Sequence, residues 1–278
     1  MSNQYQESFI RNIGIFTETE QEQLKNSTIA VAGVGGVGGL LVERLVRLGV
    51  GNIKVTDLGT FEQSNLNRQY GSSVLTLGRY KAEVVYQNMK EIYPEANIYY
   101  DNNGITSEAS AIRFVEGADL VVDEKDYGTL KEAIYLQRAA RKRGIYYLFA
   151  VAIGFGALLT NFDPQGITLE EYDKIPPDED LERPGELSIS NERLMPVVPS
   201  YATNAMSMEM VQEIIAGQRP APTCSVGVGL ASVLAAGNAI NILLKRKEIV
   251  RAPQYTYIDL LDQKFLTGSV SDPAENLK

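Results

Sequence analysis

The sequence predicts an α/β fold: a Rossmann-like, mainly parallel sheet with flanking helices and a C-terminal helix and strand extension. Three observations predict it. Short β-branched apolar runs, TIAVAGV (28–34), NIKVTDL (52–58) and ADLVVDEKD (118–126), read as buried strands. Helical patterns lie between them. A glycine loop, GVGGVGG (33–39), joins the first strand directly to a helix, which is the context a nucleotide fingerprint needs.

The elements follow in chain order. LLVERLVRLG (40–49) places Leu40, Leu41, Leu45 and Leu48 among charges and reads as a helix. Glycines let the backbone approach a phosphate, and the helix N-terminus offers unpaired N–H groups and a positive dipole end. Gly33, Gly35, Gly36 and Gly38 are therefore candidate nucleotide contacts. The second strand ends in Asp57, about twenty residues past the loop, where an acid can hold ribose hydroxyls. On the loop and acid alone, an NAD(P) oxidoreductase stays open.

The next segment, NLNRQ (65–69), puts Asn65, Asn67, Arg68 and Gln69 within five residues. Arg68 offers a planar fork suited to phosphate, and Lys81 a point charge. Lys81 opens KAEVVYQNMKEIYP (81–94), an amphipathic helix with Val84, Val85, Met89 and Ile92 on its apolar face. Either feature alone fits a solvated surface. With the glycine loop and Asp57, they read as the surroundings of a triphosphate. The 118–126 strand ends in Asp123 and Asp126. Strand C-termini of an open parallel sheet face the ligand crevice. A carboxylate there can hold Mg²⁺ together with substrate phosphates. Asp126 is the first candidate and Asp123 the second.

In this order, GxGGxG, Asp57, N-L-N-R-Q, Lys81 and D-x-x-D resemble the ubiquitin-activating superfamily, most closely its small bacterial ThiF/MoeB/HesA type. The resemblance is strong from about residue 8 to 164 and weaker over 222–262. It implies an ATP-binding homodimer that adenylates a carboxylate, at a protein or peptide C-terminus or on a small acid, and releases pyrophosphate. It implies Asp57 at the ribose, with Asn65, Arg68, Gln69 and Lys81 around the phosphates. It also implies Mg²⁺ on Asp126, and Arg11 of FIRNIG reaching the partner subunit's ATP. The implied catalytic set is Arg68, Lys81, Asp126 and Arg11. Two relatives of this activity stay open: a tRNA-modifying ATP-dependent dehydratase of the same superfamily, and a non-catalytic nucleotide-binding partner subunit.

The departures are as informative. Small members usually carry two CxxC pairs for structural zinc. This chain has one cysteine, Cys224, and no histidine, so a four-ligand Cys/His site is impossible and no zinc is expected. No cysteine lies between 163 and 222, where many members place a nucleophile. Chemistry is expected to stop at the acyl-adenylate, with Cys224 a buried small apolar residue. Gly59 stands where a second aspartate is common. The lack of histidine is compatible with adenylation, because a carboxylate is already a nucleophile at neutral pH.

Composition bounds the rest. At 278 residues and 44% hydrophobic, the chain can bury a large core. Its expected division is an ATP-binding adenylation domain (1–164), an acidic Pro-rich crossover (165–199) and a C-terminal extension of the same fold (200–278). MSNQYQESFI has neither the basic nor the apolar region of a signal peptide, so the expected location is the cytoplasm. A net charge of −9 argues against a membrane surface or a general nucleic-acid partner. Residues 163–186 hold nine acids against Lys174 and Arg183, with four prolines, and read as an irregular connection. SYATNAMSMEMVQEIIAG (200–217) reads as a helix whose Met206, Met210, Ile214 and Ile215 form a core or subunit contact. The run 224–244 is uncharged and long enough to span a membrane. Asn238, Asn241 and three glycines favour a buried helix at a dimer interface instead. Alternation over 254–270 predicts a strand pair.

Overall fold

Ile29, Ala30, Val31 and Ala32 are all fully buried, because their strand lies inside a sheet covered on both faces. In the computed structural model, residues 3–125, 129–176, 181, 196–215 and 218–271 are described. The chain opens with α1 (Asn3–Phe9), a 3-10 turn (Ile10–Asn12) and α2 (Glu18–Asn26). It continues through β1 (Thr28–Ala32), α3 (Gly36–Arg47), β2 (Asn52–Thr56), α4 (Lys81–Ile92) and β3 (Asn97–Asp101). Next come α5 (Glu108–Phe114), β4 (Leu120–Asp123), α6 (Leu130–Lys142), β5 (Tyr146–Ile153), β6 (Gly156–Phe162) and α7 (Leu169–Asp173). After these stand α8 (Ala202–Ala205), α9 (Met208–Ile215), α10 (Ser225–Leu244), β7 (Gln254–Asp259) and β8 (Lys264–Ser269).

The strands form one eight-stranded sheet in the order β3-β2-β1-β4-β5-β6-β7-β8. The first five run parallel, and β6, β7 and β8 add by antiparallel pairing. This is the mainly parallel Rossmann-like sheet that the sequence predicts. The chain steps outward from β1 to β3 and returns on the other side of β1 as β4. That reversal opens a crevice beyond the C-terminal ends of β1 and β4, where ligands bind in open α/β sheets.

Each face of the sheet carries its own core. On one, α3, α4 and α10 cover Ile29, Val31, Val55 and Leu148. On the other, α5 and α6 cover Ala30, Ala32 and Val121. α10 has the composition of a membrane span, with a mean hydropathy of 1.7. Half of that window is buried, and Ala231, Ala235 and Ala239 let the helix lie close on β5 and β6. Its other side leaves Val226 and Val233 exposed.

Three expectations need correction. The stretch from 163 does not begin as an irregular connection. Thr168 and Glu171 form a capping box, and the short helix α7 buries Leu169 and Tyr172. Tyr172 stacks edge-on against Phe162 at 5.2 Å, so two apolar residues among the acids decide that segment. Most of the remaining acidic crossover, residues 177–180 and 182–195, lies outside the described residues. The helix expected over 200–217 is split into α8 and α9. Ser207 breaks it by accepting the N–H of Met210 and restarting the turn. Met206 and Met210 are half-buried rather than core residues, and Met208 is exposed. The helix after β1, α3, starts at Gly36 rather than Leu40, so part of the glycine run is its first turn.

Candidate functional site

The site begins where β1 gives way to α3. Gly33 has φ +86°, and a Cβ there would lie 2.5 Å from the Glu124 carbonyl oxygen. Only glycine fits this turn. Gly38 faces the Gly33 carbonyl with no room for a side chain. Gly35 is the N-cap and brings no side-chain cap, which leaves the first-turn N–H groups of α3 for a ligand.

Asp57 follows β2 and binds this loop directly. Val34 N–H donates to its Oδ2 at 2.8 Å, and Gly59 N–H donates to its Oδ1 at 2.8 Å. Lys81, the first residue of α4, donates its N–H to the Gly59 carbonyl at 3.0 Å. A Cβ built on Gly59 would lie 3.1 Å from Asp57 Oδ1 and 3.4 Å from Lys81 Nζ. The acid and the lysine therefore flank one glycine.

NLNRQ leaves a 3-10 turn (Gln63–Asn65) and bends back over the loop. Asn65 is buried, and its Oδ1 accepts Glu62 N–H at 3.0 Å. Its side chain shapes the turn. Arg68 Nη1 donates to the Ser64 carbonyl at 3.0 Å and to Asn67 Oδ1 at 2.9 Å. The Arg68 stem passes 3.9 Å from a Cβ built on Gly36, and the Gln69 amide 3.5 Å from one built on Gly35. Gln69 Oε1 is buried without a partner, and so is Asn102 Oδ1 in the loop after β3. Buried polar atoms are normally satisfied, so the orphaned Gln69 acceptor beside the glycine cradle fits a nucleotide with hydrogen-bond donors.

The acids after β4 divide. Asp123 is buried and fully engaged: Lys125 Nζ donates to Oδ1 at 2.5 Å and Tyr147 Oη–H to Oδ2 at 2.7 Å. Asp126, the expected magnesium ligand, lies outside the described residues. Among the described residues, no group of three or more His, Cys, Asp or Glu side chains is gathered for a metal.

Arg11 does not join this crevice within its own chain. It is exposed in the 3-10 turn, and its neighbour Asn12 donates to the Leu48 carbonyl at the C-terminal end of α3. That end lies about 18 Å along the helix from the glycine loop. Cys224 is half-buried as the N-cap of α10, and its Sγ donates to the Gly154 carbonyl at 3.2 Å.

Two neighbours of the site escaped sequence reasoning. Glu124 wedges against Gly33 and Gly38, and its Oε1 accepts Ala150 N–H at 3.1 Å, beyond the last β4–β5 pair at Val122 and Leu148. Burial pushes its carboxyl well above the usual carboxylate range, partly opposed by that N–H. The only signal was its place between Asp123 and Asp126. Val228 on α10 packs 3.2 Å from a Cβ built on Gly36. No local pattern ties position 228 to position 36.

Comparison with known proteins bears on the family and the fold. The profile described as ThiF family matches residues 9–277. A tRNA threonylcarbamoyladenosine dehydratase of Bacillus subtilis (strain 168) is 36% identical over 137 residues, covering 49% of this chain and 53% of the relative. A sulfur carrier protein adenylyltransferase of Thermus thermophilus is 34% identical over 106 residues, covering 38% of this chain and 39% of the relative. The chain thus spans about half, or less, of the length of these curated relatives. Among solved structures, E. coli MccB with MccA-N7isoASN superposes with a TM-score of 0.72 at 18% identity, over 97% of this chain and 73% of that one. Selenomethionine PaaA superposes with a TM-score of 0.71 at 13% identity, over 97% and 75%. The two superpositions agree on the fold. The chain belongs to the ThiF family.

Proposed function

We propose that this protein uses ATP to adenylate a substrate carboxylate and releases pyrophosphate. The carrying observation is the convergence of the glycine loop, Asp57, Lys81, Arg68 and Gln69 on the crevice between β1 and β4. Family membership and the printed names of its relatives support the same reading: a sulfur carrier protein adenylyltransferase, and an MccB structure with ATP.

In this reading, Asp57 receives ribose hydroxyls while its other lone pairs hold the loop. The free first-turn N–H groups of α3, Arg68 and Lys81 hold the phosphates. A carboxylate oxygen attacks the α-phosphorus, the bond from that phosphorus to the bridging oxygen breaks, and pyrophosphate leaves with the electron pair. No proton moves, so no histidine is needed. Positioning and electrostatics supply the acceleration. Cys224 Sγ is turned to the Gly154 carbonyl, and the chemistry ends at the acyl-adenylate. The protein works as a homodimer in which Arg11 serves the opposite subunit. The exposed side of α10, with Val226 and Val233, provides part of the contact.

A second reading has its own observation. The Bacillus subtilis relative carries the name of a tRNA-modifying dehydratase, an ATP-dependent activity on a carboxylate. The net charge of −9 weighs against a tRNA partner. The deciding experiment is ATP–pyrophosphate exchange against a panel of peptide C-termini, ubiquitin-like and sulfur-carrier proteins, small acids and threonylcarbamoyladenosine tRNA. Exchange with any carboxylate other than the tRNA supports adenylation in the proposed sense. Exchange with the tRNA alone selects the dehydratase. ATP binding without exchange would leave a non-catalytic subunit, and preferential NAD binding would restore the oxidoreductase.

A further inference from the structure

Asn67 lies between two residues with assigned parts, and both ends of its amide are in use. Its Oδ1 accepts from Arg68 Nη1 at 2.9 Å, and its Nδ2 donates to the Thr223 carbonyl at 3.1 Å. Thr223 is 156 positions away in sequence and immediately precedes the N-cap of α10. Asn67 is nonetheless exposed. An exposed asparagine gains little from such bonds in stability alone, since each is worth about 1 kcal/mol net.

The far end of this link is firmly held. Thr223 bridges to Gly154, whose carbonyl accepts from Cys224 Sγ. The next residue, Phe155, donates its N–H to Tyr201 Oη at 2.6 Å, and Tyr201 in turn donates to the buried Asp259 at 2.9 Å. Thr223 is thus part of a platform built from the β5–β6 turn, the return of the chain at Tyr201 and the end of β7.

The near end is the phosphate arginine. A guanidinium has five N–H donors. Nη1 spends both of its hydrogens, one on Ser64 and one on Asn67. Nε and Nη2 have no protein partner among the described residues and form one fork of the kind that grips a phosphate side-on. A free arginine stem loses about 2 kcal/mol of rotamer freedom when it is fixed. Holding Nη1 beforehand removes part of that loss from the binding step.

We infer that Asn67 is the positioning residue of Arg68: it ties the guanidinium to the head of α10 and presents the Nε/Nη2 fork to the nucleotide. The inference rests on the reading of Arg68 as a phosphate ligand. It adds a residue that acts through Arg68 and sets the orientation of the phosphate site by an element distant in sequence.

The test is a double-mutant cycle on the full-length protein, with ATP affinity read by calorimetry and unfolding followed without nucleotide. Asn67→Ala should weaken ATP binding about fivefold, the loss of one orienting hydrogen bond. Arg68→Ala should weaken it more. In the Arg68→Ala background, Asn67→Ala should cost nothing further, because its only route to the phosphate is gone. The apo melting temperature of Asn67→Ala should stay near wild type. An Asn67 penalty of equal size with and without Arg68 would overturn the inference while leaving the phosphate reading intact. So would an Asn67→Ala protein that binds ATP like wild type while Arg68→Ala does not. Wild-type affinity in Arg68→Ala would overturn both the phosphate reading and the inference.

Discussion

Asp57 Oδ2 accepts the N–H of Val34 at 2.8 Å, which ties the acid at the end of β2 to the glycine loop at the end of β1. The residue expected to bind ribose therefore also holds the glycine loop in shape before any nucleotide arrives. Asp57→Ala should lower the unfolding free energy of the nucleotide-free protein by about 2 kcal/mol, since two backbone donors lose a charged acceptor. Urea unfolding without ATP measures this. Unchanged apo stability with lost ATP binding would restrict Asp57 to ligand contact.

Arg68 and Lys81 approach the loop from different elements. Replacing either by alanine should cost about 2–4 kcal/mol of transition-state stabilisation, the range for removing one preorganised donor. Nucleotide affinity should fall less than the exchange rate. Wild-type exchange in both variants with the true substrate would take the phosphates away from these residues.

The two aspartates after β4 should separate cleanly. Asp126→Asn should abolish Mg²⁺-dependent exchange and leave circular dichroism unchanged. Asp123→Asn strips the charge from a buried partner of Lys125 and Tyr147, and should cost about 3 kcal/mol of stability with a smaller loss of exchange. The reverse ranking would assign the metal to Asp123.

The distance of Arg11 from its own loop predicts complementation between subunits. Arg11→Ala and Lys81→Ala proteins should each lose most of their activity alone. After subunit exchange, mixed dimers should recover part of the activity, because one site in each keeps both residues. Verified exchange without recovery would confine Arg11 to its own chain or remove it from the reaction.

Glu124 predicts a pH signature. Burial raises its folded-state pKa above the unfolded value. The unfolded chain then gives up this proton at a lower pH than the folded one, so the contribution of Glu124 to stability falls as pH rises past the ordinary carboxylate range. Glu124→Gln keeps an acceptor for Ala150 N–H and removes that titration. Its stability relative to wild type should be greater at pH 7 than at pH 4. A pH-independent difference would mean that folding leaves the pKa of this carboxyl unshifted.

Local pattern determined a good deal of this protein. Thr28–Ala32 had to be a buried strand because four consecutive small or branched apolar residues have no polar face to give to water. Gly33 had to be glycine because its turn takes φ +86°, and Gly38 because the nearby Gly33 carbonyl leaves no volume for a Cβ. The run from Gln254 to Ser269 had to pair as a hairpin because its alternation has period two. Residues adjacent in sequence make such features, and their chemistry is legible there. The tertiary structure decided the rest. It spent Oδ2 of Asp123 on Tyr147 and folded an acidic stretch into α7 on the strength of Leu169 and Tyr172. It carried Arg11 to the far end of α3 and brought Thr223 to Asn67. Which donors and acceptors meet depends on how strands order themselves across a sheet, and no residue's local pattern encodes the neighbour it meets 156 positions away.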